Sequence, residues 1–258
     1  MRRLSTIALS VAMMISIAAR AEERDEEAPA STGTAVSTAV GEGAFSALTM
    51  PARVGSTQAF AWGMGGYDSS RKTPLVDSTA EVHLWGPLAL RGGATYSNDS
   101  KRMRPSIGAR AQLLRQEAHG IDGSLSVFYK AEGFTEAEGE IETFASIGHR
   151  FDSFSLIGNL VYGQDPEGNE RDGEVRASAF HQSGRFVFGL DSRVRFAIGT
   201  QHGKAATAEP TFDTMSGPMG AVALGPLALF AEAGPSAFRL GGSSHVGLAA
   251  FGGVGSAF

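Results

Sequence analysis

From about Ser56 to the last residue, the chain places an apolar side chain at every second position, segment after segment. A period of two is the mark of β-strands, because successive side chains leave the pleat on opposite faces. Leu88, Leu90, Gly92, Ala94 and Tyr96 form one such row, and Ile121, Gly123, Leu125, Val127 and Tyr129 another. Phe154, Leu156, Gly158, Leu160 and Tyr162 repeat it, as do Phe186, Phe188, Leu190, Ser192, Val194 and Phe196. The alternate positions carry Arg91, Thr95, Ser124, Ser126, Lys130, Ser155, Asn159, Asp191, Arg193 and Arg195. The 34 glycines among 258 residues suit strands and tight turns better than helices. Cysteine is absent, which excludes a disulfide framework, thiolate metal sites, a cysteine nucleophile and a lipidated cysteine anchor. Beyond the N-terminus no stretch approaches 18 uninterrupted apolar residues, so no transmembrane helix is expected.

Turn-forming residues divide this region into twelve strands whose connections alternate in length. Tight turns are expected at Gly86-Pro87, Glu117–Gly120, Arg150–Ser153, Gln182–Arg185 and Gly225-Pro226. Longer polar connections are expected at Gly66–Pro74, Asn98–Pro105, Glu132–Gly139, Gln164–Asp172, Ala197–Pro210 and Pro235–Ser244. In a meander of adjacent antiparallel strands the two kinds fall at opposite ends, and an even strand number brings both termini to the tight-turn end.

Residues 1–21 read as a removable export signal. Arg2 and Arg3 precede an apolar run from Leu4 to Ala19, and Ala19-Arg20-Ala21 has the small-x-small form of a cleavage site. Cleavage there would lower the net charge from −5 to −8, because Arg2, Arg3 and Arg20 leave and no acidic residue does. An acidic exported chain without a basic stripe argues against nucleic-acid binding. Residues 22–54 begin with EERDEE and continue rich in Ala, Ser, Thr and Gly, with no clear period. The composition predicts a mobile tail. The alternative is a plug folded into a pore, with Gly43–Pro51 as its apolar part. Residues 55–258 form the remaining, strand-rich domain.

Aromatic residues stand at the strand ends. Tyr96, Tyr129, Tyr162 and Phe196 close alternate strands at spacings of 33, 33 and 34 residues, beside the long connections. Trp85, Phe154, Phe186 and Phe258 lie near the opposite end. Nine residues at ~3.3 Å each, tilted by ~40°, span about 23 Å, close to the ~25 Å apolar band of membrane barrels. The export signal, the meander, the two belts and the closing row Val246, Leu248, Ala250, Gly252, Val254, Ser256, Phe258 together resemble a bacterial outer-membrane β-barrel. The resemblance covers about residues 56–258 and is one of class. It implies a closed, all-β, antiparallel up-and-down barrel of about twelve strands, with short periplasmic turns and longer extracellular loops. It further implies outer-membrane lipids and lipopolysaccharide as surroundings, the barrel-assembly machinery as reader of the strand ending in Phe258, and a monomer by default.

Alternation alone does not say which face meets water; a soluble barrel would bury the apolar face. Here that face is thin, much of it Ala and Gly, and would fill a twelve-strand interior poorly. Lipid chains fill such gaps. In lipid the sheet must close, because free N–H and C=O edges cost several kcal/mol each. The lumen then receives Glu81, Arg91, Arg110, Lys130, Glu140, Glu142, Glu174, Arg176, Asp191, Arg193, Arg195 and Glu232. Arg176, Arg193 and Arg195 share neighbouring strands, and Glu136, Glu138, Glu140 and Glu142 point to one side. Inward Phe128, Phe144, Phe180, Phe230 and Phe251 also take space.

Two functions fit this interior. One is a narrow pore or binding site for small solutes, with basic and acidic walls orienting a dipolar or anionic guest. The other is an occluded interaction barrel, closed by salt bridges and acting through its loops or acidic tail. A third, an outer-membrane lipid hydrolase, would need a Ser-His pair, and only His202 and His245 lie near the long-loop end. His83, His119, His149 and His181 are scattered near tight turns without metal spacing, so neither cofactor nor metal is expected. The acidic stretch Asp165–Glu174 has a calcium-loop composition but lacks the glycine at its sixth position, and reads as a solvated loop.

Overall fold

The structure is a computed structural model, and it describes residues 32–54, 58–97, 101–134, 138–166, 170–199 and 210–258. The expected export signal, together with residues 22–31 of the expected tail, lies outside them.

The alternating segments form twelve strands. They are β1 (Ala59–Asp68), β2 (Thr73–Trp85), β3 (Leu88–Ser97), β4 (Arg102–Leu114), β5 (Asp122–Ala131) and β6 (Gly139–Phe151). They continue as β7 (Phe154–Gln164), β8 (Arg171–Ser183), β9 (Phe186–Ala197), β10 (Phe212–Leu224), β11 (Leu227–Leu240) and β12 (Ser243–Ala257). Each strand pairs antiparallel with its sequence neighbours. β1 pairs with β12, in a register running from Phe60 opposite Ala257 to Asp68 opposite Ala249, and this closes the barrel. The N–H of Ala59 donates to the carbonyl of Phe258 at 3.2 Å and that of Phe258 to Ala59 at 2.8 Å, so no edge is left at the seam.

The faces sort as the membrane reading requires. Leu90, Ile107, Leu125, Ile147, Leu160, Leu190 and Leu248 stand exposed on the outer wall. Phe128, Phe144, Phe180, Phe230 and Phe251 are buried inside, with the acidic and basic side chains of the same phase. Three of these rings lie over glycines on the neighbouring strand: Phe128 over Gly108, Phe180 over Gly189 and Phe230 over Gly253. A Cβ on any of the three would collide with the ring, so glycine there makes room for an aromatic cover.

Three connections depart from expectation. Pro235–Ser244 is not a long loop: β11 runs to Leu240 and turns through Gly241 and Gly242, both at positive φ. Proline lacks an N–H, yet the β10–β11 register is the same on both sides of Pro218 and Pro235, so the sheet spans them. The first connection shrinks to residues 69–72, because β1 extends to Asp68 and β2 starts at Thr73. The expected tight turn at Glu117–Gly120 is instead a longer connection. The tight turns at 86–87, 152–153, 184–185 and 225–226 stand at the same end of the barrel as it.

The mobile-tail expectation fails over residues 32–54, which lie inside the barrel. Helix α1 (Thr32–Gly41) packs against β8, β10, β11 and β12 at the tight-turn end. Its face of Val36, Ala39 and Val40 joins Phe45, Phe60, Trp62, Phe180, Val187 and Phe230 in one buried cluster. Residues 43–54 then arch to mid-height and return, with Leu48 against Met215 and Phe251 at the apex. The second helix, α2 (Gln116–His119), is one turn in the connection between β4 and β5.

Candidate functional site

The lumen has two halves of different chemistry. Toward the end bearing residues 69–72, 132–134 and 165–166 it holds ion pairs between part-buried bases and mostly buried acids. Asp213 on β10 receives Arg193 of β9 at 2.6 Å and Arg71 at 2.7 Å. Arg195 reaches Glu170 at 2.8 Å and also contacts Asp172. Arg176 Nε donates to Glu174 at 2.6 Å, and Lys130 meets Glu142 at 3.3 Å on the facing wall. Arg104 spans Glu132 at 3.4 Å and Glu140 at 4.0 Å. Strand parity places the strand-borne members, Arg104, Lys130, Glu140, Glu142, Asp172, Glu174, Arg176, Arg193, Arg195 and Asp213, on the inward face, and Arg71, Glu132 and Glu170 reach in from the connections.

Toward the tight-turn end, residues 32–54 fill the lumen, and wall side chains satisfy their main chain. Asn159 accepts the N–H of Met50 at 2.8 Å and donates to its carbonyl at 2.9 Å. Arg110 donates to the carbonyl of Pro51 at 2.5 Å, and Gln112 accepts the N–H of Val54 at 2.5 Å. Ser155 donates to Gly41 at 2.9 Å and Gln182 to Ser37 at 3.2 Å. Main-chain groups buried from water require such partners. The hydroxyl of Ser46 also bonds Asp191, which accepts from Ser178 at 2.6 Å, while Thr49 pairs with Ser178 at 2.5 Å. Two ion pairs pin the two ends of the arch that follows α1: Glu42 to Arg150 at 2.9 Å and Arg53 to Glu117 at 2.8 Å. The Glu117 carboxyl, on α2, is held below its ordinary value by its own backbone N–H and then by Arg53.

The residues expected inside are distributed between the halves. Arg91, Lys130, Glu140, Glu142, Glu174, Arg176, Arg193 and Arg195 belong to the ionic half. Glu81, Arg110 and Asp191 stand at the junction, with Arg110 and Arg91 both on Glu81 at 2.5 and 3.4 Å. Glu232 is buried on β11, and neither of its carboxyl oxygens has a hydrogen-bond partner. The basic cluster of Arg176, Arg193 and Arg195 does form, but each member is tied to an acid. The expected row of four glutamates is divided, since Glu136 lies outside the described residues and Glu138 is exposed.

Sequence reasoning passed over Asp68, Arg71, Arg104, Asp172 and Asp213, although Asp172 and Asp213 carry the inward parity of their strands. It also passed over α1; the i, i+3, i+4 spacing of Val36, Ala39 and Val40 was its signal. Trp85, Phe154, Phe186 and Phe258 are exposed at the tight-turn end, and Tyr129, Tyr162 and Phe196 are exposed at the other. Tyr96 is half-buried. His202 lies outside the described residues, as does part of the 165–174 loop. His245 stacks on Phe238 with centroids 4.7 Å apart. Among the described residues no group of three or more His, Cys, Asp or Glu is placed to hold a metal ion.

A closed antiparallel barrel, apolar outside and ion-paired inside, is a transmembrane β-barrel of the outer-membrane type. Among solved structures the chain is similar to the NanC porin, at 9% identity and a TM-score of 0.54, with 77% of this chain and 99% of that one covered. It is similar likewise to the KdgM porin, at 7% identity and a TM-score of 0.53 over the same shares of each chain. At these identities the likeness is one of fold. No family model matches the chain, and no curated protein matches it in sequence.

Proposed function

We propose that the chain is an outer-membrane channel or binding site for small charged or dipolar solutes, admitted from the end that carries the ionic half. The observation that carries this reading is the set of part-buried ion pairs that line the lumen, with Arg193 and Arg195 on one wall and Lys130 and Glu142 on another. Paired charges of both signs along a wall give a passing ion or dipole alternative partners at modest cost. The porin fold of the two neighbours supports the same reading.

In this scheme the aromatic residues at the strand ends sit at the two membrane interfaces, among lipid and lipopolysaccharide. Residues 1–21 are removed on export, the strand ending in Phe258 is read by the barrel-assembly machinery, and the protein works as a monomer. Planar-bilayer recording of refolded protein tests the function, both on the intact chain and after a proteolytic cut introduced between Val54 and Gln58. Unitary steps are expected, and Arg193→Glu is expected to move the reversal potential toward cation preference. Silence from both forms overturns the channel.

A further inference from the structure

The wall around residues 32–54 reads peptide main chain. Six main-chain atoms of the segment are held by wall side chains: the carbonyls of Ser37, Gly41, Met50 and Pro51, and the N–H groups of Met50 and Val54. Asn159 holds both polar groups of one residue, as a neighbouring β-strand would, although it reaches in from the wall by its side chain. Arg110 and Asn159 are among the most deeply buried side chains of the protein, so their bonds to the segment have no competition from water. Near the apex the segment's side chains take part both ways: Ser46 bonds Asp191, Thr49 bonds Ser178 and Met50 Sδ accepts from Ser126 at 3.7 Å, while Phe45, Leu48 and Met50 pack on apolar wall residues.

A seat built for packing alone would be apolar. Beside its apolar lining of Phe60, Trp62, Phe128, Phe144 and Phe230, this one presents Ser, Asn, Gln and Arg groups that need a hydrogen-bonding occupant, and that water could hydrate if the occupant left. The ends add charge complementarity. Arg150 faces Glu42 before the arch, and Glu117 faces Arg53 after it.

The geometry points to a peptide-binding site in the barrel lumen, in which residues 32–54 stand in for the ligand. The ligand class is a short peptide with large apolar and hydroxylated side chains, carrying an acidic residue toward one end and a basic residue toward the other. Displacement of the chain's own segment by such a peptide is the event that opens the seat. This rests on the reading of the barrel as a solute site and names the class of solute.

The test uses the full-length chain, folded in detergent and then cut at a protease site introduced between Val54 and Gln58, so that the segment becomes a separate peptide. A fluorescent peptide with the sequence of residues 41–54 is added, and anisotropy is followed. Saturable binding is expected, displaced by the unlabelled peptide and not by one of scrambled order. Asn159→Ala is expected to weaken binding at least tenfold, and Ser155→Ala less. Retention of the compact, heat-sensitive gel mobility shows that both variants remain folded barrels. A segment that cannot be exchanged after cutting, or a scrambled peptide that binds as well, overturns the proposal. Bilayer recording of the same cut protein separates the two readings. Peptide exchange without unitary steps sinks the channel and leaves the peptide site, whereas steps without exchange do the reverse.

Discussion

Arg110 has no solvent exposure in its side chain and serves four partners at once. Its guanidinium holds Glu81 and the Pro51 carbonyl, each at 2.5 Å, and reaches Ser126 at 3.3 Å and Ser124 at 3.4 Å. Removing one member of a buried ion pair leaves the other charged and unsolvated, at a cost of about 3 kcal/mol. Arg110→Met leaves Glu81 with Arg91 alone, at 3.4 Å, and is expected to destabilise the barrel by up to about that amount in urea titrations in detergent. The inward direction of Arg110 was legible from strand parity. Its bond to Pro51 was not, because the two lie far apart in sequence and nothing in either marks the other.

A second residue-scale prediction concerns Arg53 and Glu117. The Glu117 carboxyl is depressed, so the contact is complete at neutral pH and is lost as pH falls through the lowered value. Dye pairs placed on residues 56 and 118 by cysteine labelling, which leaves Arg53 and Glu117 in place, are expected to separate in acid, and at high salt, since the pair is exposed and screened. A separation that stays constant from neutral pH into strong acid would show that the pair does not hold the segment.

At the scale of elements, α1 shows how a short helix is stopped inside a barrel. Ala44 N–H bonds the Ala39 carbonyl at 2.9 Å and Gly43 N–H that of Val40 at 3.2 Å, with Gly43 at φ +76°. This is the glycine-terminated helix end, and it turns the chain up into the lumen. A Cβ at Gly43 would stand 2.8 Å from Ile157 and 2.9 Å from Phe180. Gly43→Val meets both penalties, and the backbone one alone is about 1–2 kcal/mol. The expected outcome is faster proteolysis within residues 32–54 while the barrel stays intact, read by limited digestion and mass spectrometry. Composition suggested a mobile tail because it registers Ala, Ser, Thr and Gly but not the partners waiting on the wall. The strand elements were far more legible, and the exception is instructive. Pro235 signals a break by its own chemistry, yet its strand continues because β12 pairs with it on the other side, Pro235 opposite Leu248.

For the molecule as a whole, the outer wall is the quantity to perturb. Leu160 is 63% exposed on the outer face of β7, at mid-strand. Leu160→Arg is expected to cost about 2–4 kcal/mol in equilibrium unfolding from lipid bilayers, and much less in detergent micelles, which deform around a charge. Equal costs in both would show that the wall does not face acyl chains. The amino-acid sequence by itself determined the alternation, hence the strands, their number, which side chains share a face, and the closure that lipid demands. These follow from local geometry, because the pleat repeats every two residues whatever lies nearby. Only the tertiary structure decided that residues 32–54 occupy the lumen, that each arginine of the basic cluster has an acid beside it, and that Asn159 pairs with a peptide group more than a hundred positions away. Those arrangements depend on which walls face each other across a closed ring, and a closed ring brings together residues that no local spacing relates.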